Sequence, residues 1–178
     1  MISTRVGYSG GTKKNPSYYE LGDHTETVQI EFDPKTISYQ ELLELFWRGH
    51  DATLARSRQY RSLILFHNEE QRRLAQESKE RQQGLLGRRL ATEIVAFSQF
   101  FPAEDYHQKY MLRQMPELMS ELRSVFGSDE DMVVSTAAAR LNGLMGGYGS
   151  IEGLQKSLQG HYSGTWKVLG RIVGAPSR

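Results

Sequence analysis

The chain has 178 residues, enough for one domain, and its 22 basic and 21 acidic side chains leave a net charge of +1. A balance this close to neutral gives no strong field for nucleic acid or for an anionic membrane, so we expect neither as a partner. Cysteine is absent, which excludes disulfides, thiolate metal sites and a nucleophilic thiol within this sequence. No apolar run approaches the length of a bilayer span and the N-terminus lacks a signal-peptide pattern, so we expect a cytoplasmic protein.

The chain opens with two predicted strands. Thr4–Tyr8 is typical of a short strand that ends at the Ser9-Gly10-Gly11 turn, and residues 12–24 are predicted to form a loop. Thr25–Phe32 alternates between polar and apolar residues, which predicts a second strand with its apolar face buried. The residues of that apolar face are Val28, Ile30 and Phe32.

Glu26 has the same parity as the apolar face of the second strand. A carboxyl group aligned with that face would be desolvated, which favours its neutral form, and a protonated carboxyl is what a general acid needs. The alternative, which the pattern alone favours, is that Glu26 lies at the mouth of the strand, where it is solvated or paired with an arginine.

The middle of the chain alternates helices with strands. Ser38-x-x-Glu41 is a capping box that opens an amphipathic helix. The unbroken apolar run Leu63–Phe66 predicts a buried central strand, Asn68–Gln83 a long polar helix and Ala91–Ala96 another strand. After Pro102 the pattern predicts three helices and then a glycine-rich tail from Gly143: about residues 103–112, 116–126 and 130–142.

Strand–helix–strand units followed by helices predict an α+β two-layer sandwich with a central mixed sheet. We expect residues 1–178 to form a single domain. Its core spans residues 1–112, and residues 113–178 are a helical, glycine-rich C-terminal extension.

Several polar pairs leave alternatives open. Glu104 and His107 have the Glu-x-x-His spacing of di-iron bundles, but those need a second copy, so we expect no metal site. His50-Asp51 could be a His–carboxylate pair, although a role at a helix C-terminus is favoured because adjacent helical residues point apart. Tyr18 and Tyr60 follow loops, and for either of them packing with a satisfied hydroxyl is the plainer interpretation.

The order of six local motifs is more informative than any one of them. In chain order they are Val6-Gly7-Tyr8-Ser9-Gly10-Gly11, Asn15-Pro16-Ser17-Tyr18, Asp23-His24-Thr25-Glu26, residues 37–51, Gln59-Tyr60-Arg61-Ser62 and Phe101–Gln108. Together they resemble the peptide-methionine (S)-sulfoxide reductases of the A type, over about residues 2–112. Residues 136–143 resemble the C-terminal part of one subgroup of that family.

The resemblance implies a ferredoxin-like core and a set of site residues. Tyr18 and Tyr60 would hydrogen-bond the sulfoxide oxygen, and Glu26 would donate a proton to it as a thiolate attacks the sulfur. His107 and Tyr110 would line the site. No bound cofactor is implied; a full-length relative would act on methionine-sulfoxide peptides or proteins with an external thiol reductant such as thioredoxin, and we expect a monomer.

Three departures from the family pattern matter. The GCFWG motif, which carries the nucleophilic cysteine on a strand leading into a helix, is expected upstream of residue 1, and its loss would bare apolar sheet surface. The GND segment before Gln59 and the recycling cysteines are also absent. We therefore expect this chain to be inactive by itself. A non-enzymatic homologue that binds methionine sulfoxide or a partner is the alternative, and a tail that serves as an interaction module is a third hypothesis.

Overall fold

The structure, a computed structural model, describes residues 2–157, which form five strands and seven α-helices. They fall into two compact units. One spans residues 6–104, and the other groups Ile2–Arg5 with the described residues from Asp105 onward. The predicted α+β class is confirmed. None of the described helices is long and apolar enough to cross a membrane.

The first unit contains most of the strands and two long helices. Its elements are β1 (Ser3–Ser9), β2 (Thr25–Glu31), α1 (Tyr39–Arg48), a 3-10 turn (Arg58–Tyr60), β3 (Leu63–Phe66), α2 (Glu69–Leu86), β4 (Glu93–Ala96) and β5 (Phe100–Pro102). The first residues of β1, Ser3–Arg5, are grouped with the second unit. Apart from β5, each of these strands and helices was expected from the sequence.

Helix α1 begins at the predicted capping box. The Glu41 backbone N–H donates to Ser38 Oγ at 3.2 Å, and the Ser38 N–H donates to Glu41 Oε2 at 2.7 Å. Its buried face carries Leu43 and Trp47. The indole Nε1 of Trp47 donates to Ser78 Oγ of α2 at 2.6 Å, so a buried hydrogen bond adds to the apolar packing of the two helices.

The strands form two sheets. One has the order β2-β1-β5 and pairs β1 with β5 antiparallel, while the other pairs β3 with β4 in parallel. Both strand directions therefore occur, as a mixed sheet requires, but the described strands do not join into one sheet. The prediction that Leu63–Phe66 is a central strand is wrong, because β3 has a neighbour on only one side in the described part of the chain.

A cleft of about 610 Å³ lies where β2 and β3 each lack a second neighbour. Consecutive residues of both strands line it, Thr25–Ile30 and Leu63–Leu65, so strand edges as well as faces border the cleft. The prediction of a buried apolar face on β2 is wrong: Val28 is 56% exposed and Ile30 37% exposed. Those side chains line the open cleft, and no described segment covers them there.

The second unit is helical. Its elements are α3 (Tyr110–Arg113), α4 (Pro116–Val125), α5 (Asp129–Val133), α6 (Thr136–Met145) and α7 (Ile151–Ser157). Its core is built from fully buried apolar side chains: Leu112, Leu118, Leu122, Met132, Ala138 and Leu141.

Two of the three predicted C-terminal helices were misplaced. Only residues 110–112 of the predicted 103–112 helix are helical, as the start of α3, since Lys109 adopts a left-handed backbone with φ 52° just before α3. The predicted 130–142 helix is two helices, because the Ser135 hydroxyl caps the start of α6 by accepting the Ala138 N–H at 3.1 Å. The glycine-rich tail beyond residue 157 lies outside the described residues.

Lys109 is a buried cation, 5% exposed, whose ammonium donates to the backbone carbonyl of Thr4 and to Thr4 Oγ1. Burial, and then the nearby charge of Arg5, lowers the pKa of Lys109 to about 8. An unfolded lysine keeps its proton until about pH 10.4. Above the folded pKa, the unfolded chain therefore holds more protons than the folded chain, and the free energy of unfolding rises with pH.

We predict that the burial cost of the Lys109 charge, present at neutral pH, is relieved between about pH 8 and pH 10. Relative to Lys109→Met, wild-type protein should gain roughly 2–3 kcal/mol of unfolding free energy over that range. Urea unfolding at several pH values measures the difference, with Lys14→Met as the exposed control. A constant difference between wild type and Lys109→Met would contradict the prediction.

Candidate functional site

Three of the residues predicted for the site come together in the first unit. Glu26 is the second residue of β2 and Tyr60 ends the 3-10 turn, and both line the cleft. The side chains of Tyr60 and Tyr18 share a hydrogen bond, and the charge of Glu26 acts on Tyr60. We call Tyr18, Glu26 and Tyr60 the tyrosine–glutamate cluster.

The environment of Tyr60 favours its neutral phenol. The hydrogen bond with Tyr18 is the main cause that raises the pKa of Tyr60, and desolvation and the neighbouring Tyr18 and Glu26 act in the same direction. Tyr60 is nevertheless 52% exposed. Its hydroxyl is therefore neutral and can be reached by a ligand in the cleft.

Glu26 is exposed, so it is not desolvated. The start of β2 directs Thr25 inward instead, where it is 1% exposed. Glu26 faces the cleft, and its Oε1 accepts a hydrogen bond from Gln59 Nε2 at 2.7 Å. The alternative position at the mouth of the strand is the observed one, with an amide in place of the arginine.

Thr25 and Arg61 fix the backbone on both sides of the cleft. The Thr25 hydroxyl donates to the Arg58 carbonyl at 2.9 Å and accepts from Arg61 Nε at 2.6 Å. Arg61 also donates through Nη1 to Glu93 Oε2 at 2.8 Å and through Nη2 to the Gly10 carbonyl at 2.9 Å. All three donor groups of the guanidinium are thereby used within the protein.

Glu104 positions Tyr18, a role that sequence reasoning missed. Its Oε1 accepts the Tyr18 backbone N–H at 3.0 Å, and its Oε2 accepts the Tyr8 hydroxyl at 2.6 Å. Tyr18 packs against the cluster formed by Tyr8, Leu21 and Ala103. No local pattern marks Glu104 for this role, since 86 residues separate it from Tyr18.

His107 and Tyr110 belong to the second unit. The His107 ring lies 4.2 Å from the Tyr106 ring, centroid to centroid. Tyr110 is the first residue of α3 and is 58% exposed. The assignment of both residues to the site stays a prediction.

His50 acts at the end of α1 and is not paired with Asp51. Its Nδ1 lies 3.0 Å from the Phe46 carbonyl oxygen and its Nε2 lies 2.7 Å from Ser62 Oγ. Asp51 instead accepts hydrogen bonds from Thr53. The His50 contacts join α1 to the residue after Arg61, and so they support the arginine that fixes the cleft.

Most of the chain matches one family model, described as peptide methionine sulfoxide reductase, over residues 1–137. A second model, described as the helical domain of selenoprotein methionine sulfoxide reductase A, matches residues 127–162. A peptide methionine sulfoxide reductase of Drosophila melanogaster is 44% identical over 155 residues, which are 85% of this chain and 62% of the relative. An archaeal reductase from Sulfolobus acidocaldarius is 43% identical over 62% of this chain and 68% of its own length.

Solved structures of methionine sulfoxide reductases are also similar to this chain. Reduced Mxr1 of Saccharomyces cerevisiae aligns with a TM-score of 0.58 and 32% identity, covering 64% of this chain and 71% of the yeast chain. Methionine sulfoxide reductase A of Corynebacterium diphtheriae aligns with a TM-score of 0.53 and 28% identity, covering 64% and 63%. The chain spans about three-fifths of the curated fly and rice relatives, 62% and 58% of their lengths.

We predict that Tyr18→Phe lowers the pKa of Tyr60 toward the ordinary tyrosine value, because it removes the hydrogen bond that most favours the neutral phenol. Ultraviolet titration at alkaline pH measures the ionisation, and subtraction of a Tyr60→Phe titration assigns it. Tyr148→Phe is the control, since Tyr148 is 78% exposed in the second unit. An unchanged Tyr60 ionisation in Tyr18→Phe would show that the two hydroxyls do not interact.

Proposed function

This chain belongs to the peptide methionine sulfoxide reductase family, and on that premise we propose that it binds methionine S-sulfoxide in peptides and proteins through the tyrosine–glutamate cluster. The observation that carries the proposal is that Glu26 and Tyr60 line the open cleft and that the Tyr60 hydroxyl is hydrogen-bonded to Tyr18. Neutral phenols donate hydrogen bonds to the polarised sulfoxide oxygen, and the carboxyl group supplies a proton to it.

The proposed chemistry needs a thiol from outside this sequence. A thiolate attacks the sulfoxide sulfur, the oxygen is transferred to the attacking sulfur with uptake of the proton from Glu26, and the sulfide and a sulfenic acid result. A second thiol then reduces the sulfenic acid, with formation of a disulfide and release of water. Since the chain contains no cysteine, it should bind the sulfoxide but not reduce it by itself.

The open cleft bears on where such a thiol would enter. Its strand edges and exposed Val28 and Ile30 form an apolar surface beside Glu26 and Tyr60. We propose that a segment carrying the family's nucleophilic cysteine pairs with β2 or β3 here and brings the thiolate to the sulfoxide. Such pairing would give an outer strand of the described sheets a second neighbour and bury the apolar side chains.

A second candidate function is sulfoxide recognition without chemistry. It is favoured by one observation: the cluster is retained in a chain that has no cysteine. In that case the chain would bind oxidised proteins without converting their methionine sulfoxide to methionine. An external thiol reductant such as thioredoxin belongs only to the first candidate. A monomeric state and a cytoplasmic location remain predictions from the sequence.

Calorimetry with a methionine S-sulfoxide peptide and its reduced counterpart tests the proposed binding. We expect preference for the oxidised peptide, and in Tyr60→Phe a loss of about fivefold in affinity for it, the effect of about one hydrogen bond. The control Tyr148→Phe should bind like wild type. Equal affinity of wild-type protein for the two peptides would contradict sulfoxide recognition.

A turnover assay tests whether the chain alone is an active enzyme, and it also distinguishes the two candidate functions. With dithiothreitol and the S-sulfoxide peptide, the chain alone should give no reduction above the rate of the thiol alone. Turnover restored by a synthetic peptide that carries the GCFWG motif would favour the reductase over the non-enzymatic binder. Reduction catalysed by the chain alone would contradict the requirement for an outside cysteine.

A further inference from the structure

We propose that Gln59 is a positioning residue, which holds one oxygen of the Glu26 carboxylate so that the other remains available to the sulfoxide. This inference rests on the proposed function. Gln59 Nε2 donates to Glu26 Oε1 at 2.7 Å, a short distance for an N–H donor and typical of a charged acceptor. Among the described residues, no other side chain or backbone group donates to that carboxylate.

The position of Gln59 is fixed by its neighbours on both sides. The Arg58 carbonyl accepts the Thr25 hydroxyl at 2.9 Å, so the turn is attached to β2 one residue before Glu26. The Tyr60 N–H donates to the Ser57 carbonyl at 3.0 Å and closes the 3-10 turn. The Tyr60 side chain is held in turn by Tyr18. Because this turn is held on both sides, the Gln59 amide has a fixed position from which to donate to the Glu26 carboxylate.

A neutral anchor suits a residue that must carry a proton. Arginine or lysine next to a carboxylate strongly favours the charged form, whereas an amide orients the group with a weaker electrostatic bias. Arg61, a cation that also lines the cleft, is already engaged, because it donates to Thr25, Glu93 and Gly10. Within the described part of the chain, no salt bridge includes Glu26. The amide therefore orients the carboxyl group through one hydrogen bond, without an opposite charge beside it.

The test uses the full chain and two small ligands, the N-acetyl, N-methylamide derivatives of methionine S-sulfoxide and of methionine. Gln59→Met keeps the length of the side chain but removes the donor. We expect its affinity for the sulfoxide to fall about fivefold, with affinity for the reduced ligand unchanged. Gln40→Met is the matched control, since Gln40 is an exposed glutamine on α1 of the same unit.

Nuclear magnetic resonance adds a readout that a merely structural role would not move. The side-chain amide signals of Gln59 should shift when the sulfoxide binds and also in Glu26→Gln, but not when the reduced ligand is added. Wild-type discrimination retained in Gln59→Met would overturn the role of Gln59 and leave the proposed function standing. Failure of wild-type protein to prefer the sulfoxide would overturn both.

Discussion

The guanidinium of Arg61 is the contact on which the geometry of the site depends. Its three donor groups reach the turn after β1, the first residue of β2 and a side chain of β4, so one cation connects the two sheets beside the open cleft. The side chain is 13% exposed, which limits screening by water. Gly10 makes this approach possible: its φ is +74°, and a Cβ there would lie 3.2 Å from Arg61 Nη2 and 2.8 Å from Leu63 Cδ2.

From Arg61 the contacts lead directly to the tyrosine–glutamate cluster. Thr25 accepts from Arg61 and donates to Arg58, so β2 and the 3-10 turn are held together at their ends. Glu26 follows Thr25, and Gln59 and Tyr60 follow Arg58, so each functional side chain is one or two residues from a fixed hydrogen bond. Tyr18 is placed independently, by the Glu104 carboxylate. A preorganised set of polar groups is thus supported by buried neighbours, while its own side chains stay accessible.

The sequence predicts local elements well where the signal is local. The Ser38 capping box and the strand at β2 are predicted correctly because each depends on near neighbours in the chain. Alternation shows which residues share a face, but not whether another layer covers that face. The burial of Val28 is therefore mispredicted.

Contacts between segments that are distant in the chain cannot be predicted from local sequence patterns. The role of Glu104 depends on a partner 86 residues away, and its Glu-x-x-His spacing directed attention to metal chemistry instead. Similarly, the separation of β3 from β2 depends on what lies between them, and nothing within the short run Leu63–Phe66 reports that. The division of the predicted 130–142 helix into α5 and α6 did have a local signal, because Ser135 is a serine that can cap a helix. The apolar pattern that continues across Ser135 obscured that signal.

The proposed site contains the side chains assigned to oxygen binding and proton donation, and the sequence contains no cysteine. The most direct test is a crystal structure of the chain bound to a methionine S-sulfoxide peptide. The sulfoxide oxygen should lie within hydrogen-bond distance of the Tyr18 and Tyr60 hydroxyls and of the Glu26 carboxyl group, with the sulfur facing the open cleft. A peptide bound with its sulfoxide oxygen away from these three side chains would contradict the assignment of the site.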